Sequence, residues 1–385
     1  VALGALALAA PVEVSAQVAV TRTRFELPTS NGYGALLVHL DDADAGQARR
    51  AVHFREHLFA AEEPILDAQG DEVWGGSDFE AIYTRDLLYD AYFGLRGPGG
   101  NLWLPTVGAD LDASGYAGWQ DGTMGGTGIV QLVQTVGDLQ ATSYFFAPLS
   151  LEANAFVMVL AVENTGNATV SGVQGFSIHN FHLGYGRAES PWEVGNDIGE
   201  NGETLTRTSD ANGEAFIEQG FAGVVAARAV GNTSHFGVAP DQAIYDVVDG
   251  GGTADLPDNT PSGAAVTGAV GAWQFDLGDI PAGQTRYAAV VFAHHGDPTA
   301  TTATLGLVDS YIDDRSAQAL LDDEVGEWAD FQNSLTIPSD ASAGEERLVR
   351  SSATMLRMGQ VREDEFFLRE FLSQDGEVRR TRFPD

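Results

Sequence analysis

Neither lysine nor cysteine occurs among the 385 residues. Without cysteine there is no disulfide framework, no zinc–thiolate site and no thiol nucleophile. Without lysine, Schiff-base chemistry and a phosphate-loop lysine are both excluded within this chain. Positive charge is scarce as well, with 20 Arg against 55 Asp and Glu and a formal net charge of -35. Such a charge repels phosphate backbones and anionic lipid, so the sequence predicts no nucleic-acid partner. No apolar run approaches the ~18 residues of a spanning helix, so no membrane insertion is expected. What remains is a globular balance of 44% hydrophobic and 19% charged residues. The length allows two or three domains, and the sequence carries no signal for an oligomeric state.

The first residues, VALGALALAAPVEVSAQ, read as a hydrophobic segment followed by small residues at Val14-Ser15-Ala16. That pattern predicts a signal peptide over 1–16, cleaved before Gln17, and hence a secreted or periplasmic bacterial protein. The competing reading is a buried strand, which the lack of β-branched residues in the Ala/Leu run disfavours. Residues 366–385 stop shortly after an Asp375-Gly376 turn, and the sequence is expected to be a fragment open at both ends.

From Phe25 to about His295, short runs rich in Val, Ile, Tyr and Phe alternate with Gly, Asn and Asp turns. Strands without intervening helical segments predict a mainly β fold, a large antiparallel β-sandwich over 17–300. Asn164-Thr165-Gly166-Asn167 between two apolar runs predicts a hairpin. A second turn is expected at Leu277-Gly278-Asp279-Ile280-Pro281-Ala282-Gly283-Gln284, leading into RYAAVVFA. After about Thr301 the period becomes helical, with Leu321, Val325 and Trp328 on one stripe, and 301–344 is expected to be a helical linker. Ser342-Ala343-Gly344-Glu345 predicts a capping box opening another helix. Leu348, Ser352, Met355 and Gly359 form a small or apolar stripe on that helix, which should lie uncovered and leave the helix weakly held. Composition shifts here too: residues 345–385 carry 8 Arg and 9 acids, against 12 Arg and 46 acids before them.

Asp110, Asp112 and Ser114, followed by Gly115, alternate oxygen donors with a turn glycine, and Asp121 falls at the twelfth position. That spacing suits calcium, while the strand-like flanks are wrong for an EF-hand, and an ordinary acidic turn, common in a chain this rich in Asp and Gly, is the competing reading. Trp103, Tyr116 and Trp119 lie in Gly/Asp-rich sequence, where rings either present a sugar-binding surface or plug the end of a sandwich. His179 and His182 fall on opposite faces of one strand and should not share a ligand. No Gly-x-Ser-x-Gly elbow supports Ser/His/Asp catalysis.

Several segments in order carry a family resemblance: FREHLFAAEEPILDAQGDEVWGGSDFEAIYTRDLLYDAYFGLRGPGGNLWLP, Gly118-Trp119-Gln120-Asp121-Gly122, FSIHNFHLG, EERLVRSSATMLRMGQVRE and DGEVRRTRFPD. Together they resemble a bacterial member of glycoside hydrolase family 15, the glucoamylase-like group. The resemblance implies an N-terminal super-sandwich, a helical linker and an (α/α) barrel, of which 345–385 would be the start. It implies inverting hydrolysis of α-glucans by two carboxylates in that barrel. No catalytic residue is therefore assigned within 1–385. A stand-alone carbohydrate-binding or surface module, and the front half of a disaccharide phosphorylase, are the alternatives.

Overall fold

The computed structural model describes residues 24–41, 52–59, 82–118, 126–181, 183, 203–220, 223–239, 241–267, 270–360, 362, 370–372 and 378–380. A first meander runs β1 (Arg24–Ser30), β2 (Ala35–Asp41), β3 (Val52–Phe59) and β4 (Ile82–Asp86), paired in that order. The chain continues through β5 (Leu88–Gly97), β6 (Gly100–Trp103), β7 (Gly115–Tyr116), β8 (Val130–Val136), β9 (Leu139–Phe146), β10 (Asn154–Asn164) and β11 (Val170–Phe181). Next come β12 (Thr204–Asp210), β13 (Gly213–Gly220), β14 (Gly223–Val230), β15 (Thr233–Ala239), helix α1 (Asp241–Asp249), β16 (Ala265–Thr267), β17 (Val270–Ile280) and β18 (Thr285–His295). Helices α2 (Thr301–Ile312), α3 (Ala317–Ser334) and α4 (Ala343–Met358) follow, then a short pair, β19 (Glu370–Leu372) and β20 (Val378–Arg380).

Among the described residues, nine strands form one antiparallel sheet in the order β16-β12-β13-β14-β18-β10-β9-β8-β7, and five form another, β15-β17-β11-β5-β6. The two face each other across an aromatic core. Phe181 of β11 lies 5.7 Å from Phe292 of β18, and Phe216 of β13 lies 4.4 Å from Trp273 of β17. The mainly β sandwich expected from the sequence is thus present.

Helices α2 and α3 cover the outer face of the nine-stranded sheet, touching β14, β18 and β10. Strand β14, GVVAARAV, is consequently buried at every position. A strand covered on both faces needs no polar alternation, which is why its sequence reads as a continuous apolar run. The exception is Arg228, 1% exposed, whose guanidinium meets Asp210 at 3.0 Å and also pairs with Asp309 of α2. Two carboxylates neutralise a cation that could not otherwise leave water.

Two expectations need correction. The Asn164–Asn167 turn does not close a hairpin, because β10 pairs with β9 and β18 while β11 pairs with β5 and β17. The turn expected at 277–284 is present and leads into β18, joining β17 of the smaller sheet to β18 of the larger. Both are corners that carry the chain from one sheet to the other, and turn chemistry alone does not distinguish a corner from a hairpin. Asn164 ties the corners together: its Nδ2 donates to Ala168 O and Ile280 O, each at 2.7 Å, and its N–H donates to Gln284 O. The second correction is α1, which interrupts a stretch read as all strand. Its Ile244, Tyr245 and Val248 are buried at helical spacing against the outer face of the five-stranded sheet.

The capping box is present as expected, with Ser342 Oγ accepting from Glu345 N–H and Glu345 accepting from Ser342 N–H. Helix α4 exposes Leu348 and Met355 of the predicted stripe, together with Val349 and Leu356. Its opposite face buries Thr354 and Met358.

Candidate functional site

Of the aromatic residues expected at a sugar surface, Trp103 is 1% exposed. Its indole N–H donates to Tyr245 O at 3.1 Å, and its ring meets Tyr92 and Phe176 edge-on at 5.5 and 6.3 Å. Gly94 across the strand pair leaves room for it, since a Cβ there would sit 2.7 Å from Trp103 Cε3. The ring plugs the space under α1 and offers no face to a ligand. Tyr116 is 7% exposed and donates its hydroxyl to Pro28 O at 2.6 Å, fastening β7 to β1; burial pushes the ionisation of that hydroxyl well up. Both are core residues, so the sequence reading of surface platforms is corrected for them. Trp119 lies outside the described residues.

Asp110 is exposed. Its Oδ1 accepts from the N–H groups of Asp112 and Ala113 at 3.0 and 3.2 Å, an Asx turn. Ser114 is buried and its Oγ accepts from Val133 N–H at 2.8 Å. Asp112 is exposed, and Asp121 lies outside the described residues. Among the described residues, no three His, Asp or Glu side chains converge in a way that could hold a metal ion. His182 also lies outside the described residues.

A concave feature among the described residues lies between α3, α4 and the segments at Gly118 and Gly126–Thr127: a cavity of about 360 Å³ bordered by Gly118, Thr127, Trp328, Gln332 and Arg350. Trp328 is its back wall. Gly128 packs so closely on that indole that any side chain there would collide with it, and Met358 closes the other side. Gln332 Nε2 donates to Thr354 Oγ1 at 2.6 Å and to Gly126 O at 3.2 Å, tying both helices to the loop. Arg350 Nη1 donates to Gln332 O at 2.8 Å while Nε donates to Glu346 at 2.9 Å. These bonds hold the cavity open and shape its wall. Sequence reasoning placed Trp328 on a helical stripe but missed the cavity, because its wall is assembled from loop and helix segments more than 200 residues apart.

Three buried sites carry perturbed ionisable groups. Burial pushes the Glu324 carboxyl up to about 8, with Glu327 adding repulsion; its Oε2 accepts from Leu149 N–H at 3.2 Å, across the seam between α3 and the sandwich. Glu218 and Glu203 are 2% and 1% exposed, and burial, reinforced by Glu203, raises Glu218 well above the carboxylate range. His179 sits among Trp273, Phe216 and Phe292 with neither ring nitrogen hydrogen-bonded, and burial lowers its pKa to about 3. It is a core residue near the C-terminal end of β11. None of these groups faces solvent, so none is placed to exchange protons with a bound sugar.

No family model and no curated protein matches the chain. Solved structures do: a bacterial glucoamylase complexed with acarbose, at 13% identity and a TM-score of 0.47, matches 88% of this chain and 42% of its own length. A family GH92 glycosyl hydrolase has 11% identity and a TM-score of 0.39, covering 86% of this chain and 38% of its own. A family GH92 alpha-mannosidase from Bacteroides thetaiotaomicron has 10% identity and a TM-score of 0.32, over 93% and 42%. The chain spans less than half the length of each of these proteins.

Proposed function

We propose that this chain is the non-catalytic front of a secreted bacterial glycoside hydrolase of the glucoamylase-like type, acting on α-glucans by inverting hydrolysis. The observation that carries the reading is the passage from a large sandwich into helices, ending in α4. That helix is fastened on one face through Thr354 and Met358, while Leu348 and Leu356 on the other are 66% and 68% exposed. An amphipathic helix with apolar residues on both sides is built to lie between two layers. In this reading the second layer is further helices of an (α/α) barrel, which supply the acid and the base. The ordered segments resembling glycoside hydrolase family 15 agree with it.

The test is glucose release from maltooligosaccharides by the purified 385-residue chain and by a chain extended with the downstream coding sequence. Turnover by the extended chain alone is expected. Reproducible turnover by the 385-residue chain would overturn the reading, because proton transfer requires both carboxyl groups within reach of the scissile bond. A second reading, a self-contained carbohydrate-binding module, is favoured by the docking of α4 through Gln332, Thr354 and Gly126. It predicts saturable binding of maltooligosaccharides by the 385-residue chain together with no gain of turnover on extension. Calcium binding at Asp110, Asp112, Ser114 and Asp121 remains a proposal of its own: isothermal titration after chelator treatment should show heat that Asp112→Ala abolishes.

A further inference from the structure

We infer that the outer face of the nine-stranded sheet carries a shallow oligosaccharide site, centred on Ala161 and walled by Tyr144, Tyr287 and Glu163, that holds a neutral α-glucan. The choice of α-glucan rests on the function proposed above; the site itself rests on strand register. On β10, Phe156 stacks on Phe292 at 4.3 Å, and Phe292 lies 5.4 Å from His179 of the facing sheet. Even-numbered positions of β10 therefore point inward and odd-numbered ones outward. Along the outward set, opposed residues of β9, β10 and β18 form successive rows: Tyr144–Val159–Ala289, then Thr142–Ala161–Tyr287, then Gln140–Glu163–Thr285. Val159 and Ala289 are fully buried, Ala161 is 8% exposed, and Glu163 and Thr285 are half-buried. The cover that α3 lays over β10 and β18 thus ends at the middle row.

The floor of the site is the small pair Ala161 and Thr142, with longer side chains in register around them. Tyr287 stands beside Ala161 and Tyr144 lies diagonally across it, their Cα atoms about 12 Å apart by strand spacing and rise. A ligand that touches both must be an oligomer, because a single sugar ring is too short. Both tyrosines are half-buried, and each offers an apolar ring with a hydroxyl rim, which suits the carbon face of a pyranose. Burial, then Tyr287 and Glu163, raises the ionisation of the Tyr144 hydroxyl. Burial, then Asp322 and Glu163, raises that of Tyr287, with a hydrogen bond to Thr285 opposing. Both hydroxyls are therefore intact donors at neutral pH. At the open end, Glu163 accepts from ligand hydroxyls, while Gln140 both donates and accepts. None of the residues in these rows is basic, and a net charge of -35 repels an anionic ligand, which leaves a neutral polyhydroxyl one. A shallow face orders a flexible ligand without enclosing it, so the expected Kd is on the order of 1 mM.

Binding is tested without hydrolysis. The 385-residue chain is titrated calorimetrically with maltoheptaose and, separately, with cellohexaose. Saturable binding of maltoheptaose, tighter than that of cellohexaose, is expected. Tyr144→Ala and Tyr287→Ala should each weaken it at least about fivefold, and Tyr287→Phe, which keeps the ring, should fall between. Circular dichroism establishes that each variant is folded. Nitration of the parent chain by tetranitromethane, read by mass spectrometry, gives a readout independent of the variants: maltoheptaose should slow modification of Tyr144 and Tyr287 and leave Tyr33 unaffected. No binding of maltoheptaose, equal or tighter binding of cellohexaose, or affinity unchanged in both alanine variants overturns the proposal. A dimer in sedimentation that the alanine variants abolish would make this face a contact between copies and would likewise overturn it. Turnover by the extended chain without binding here sinks this inference alone, whereas binding here without turnover on extension sinks the hydrolase reading and leaves the site.

Discussion

The inside of the sandwich and the seam where the helices meet it are both buried, yet they are held together differently. Between the sheets, contact is almost wholly aromatic and aliphatic, and even His179 is accepted there as a neutral ring without a hydrogen bond. At the seam, one large ring, Trp328, is surrounded by polar ties: Gln332 to Gly126 and Thr354, Glu324 to Leu149, Arg350 to Glu346. Burial of apolar area is broad and tolerant, whereas each polar tie depends on a few atoms and on protonation. The sandwich should therefore outlast the seam under any stress that acts on single contacts.

The sharpest way to separate the two regions is Trp328→Ala. Removing this 1%-exposed ring should cost about 3 to 5 kcal/mol. Limited proteolysis should then cut within 317–358 while sparing β8 to β18, and simultaneous loss of both regions would show that they are one cooperative unit.

Glu324 sharpens the comparison through pH. Its folded pKa is raised from 4.5 to about 8, so the folded seam holds the proton more tightly than the unfolded chain. The stabilisation is complete below pH 4.5 and is lost as pH rises toward 8, at up to about 1.4 kcal/mol per pH unit. Denaturant unfolding of Glu324→Gln should show this slope flattened relative to the parent chain; parallel slopes would break the assignment.

His179 gives the opposite slope. Its folded pKa is depressed from 6.5 to about 3, so stability is present above pH 6.5 and falls as pH drops toward 3. His179→Phe should remove that acid dependence and, by replacing two unpaired nitrogens with carbon, stabilise the sandwich by about 1 to 3 kcal/mol. Destabilisation at neutral pH would show that the pocket is shaped for the smaller imidazole.

The smallest effect belongs to Ser342→Ala. Loss of the capping box should cost about 1 kcal/mol, confined to α4 and read by hydrogen exchange of its first turn, with the sandwich amides unchanged.

Much of the fold was legible in the sequence because its signals are local. Alternating and continuous apolar runs gave the strands, Ser342 and Glu345 gave the start of α4, and the helical period after Thr301 was correct. What failed depends on partners remote in sequence. Asn164–Asn167 looks the same whether its strands pair with each other or with different sheets, and only β9, β18, β5 and β17 decide the matter. The short α1 was hidden because nine residues hold little more than two turns, although Ile244, Tyr245 and Val248 carried the pattern. For the site, composition drew attention to Trp103 and Tyr116, yet ring type cannot tell a surface from a plug. The acceptor carbonyls of Tyr245 and Pro28, which settle their place, lie 142 and 88 residues away.

The corners that meet at Asn164 also bear on how the chain reaches this arrangement. Strands β10 and β18 are neighbours in one sheet and β11 and β17 in the other, so the two connections cross together like a double ribbon bent over an edge. Asn164 meets Ile280 from 116 residues away, and neither sheet can complete its centre before that span has closed. Loop closure of this kind spends chain entropy early and recovers it late, which places assembly in the slow regime of non-local β topologies, on the order of milliseconds to seconds. The same knot resists separation of the sheets once formed. A chain released from the ribosome would thus spend its vulnerable interval before the knot ties, with the apolar strands β10, β14 and β18 still open to one another and to neighbouring molecules.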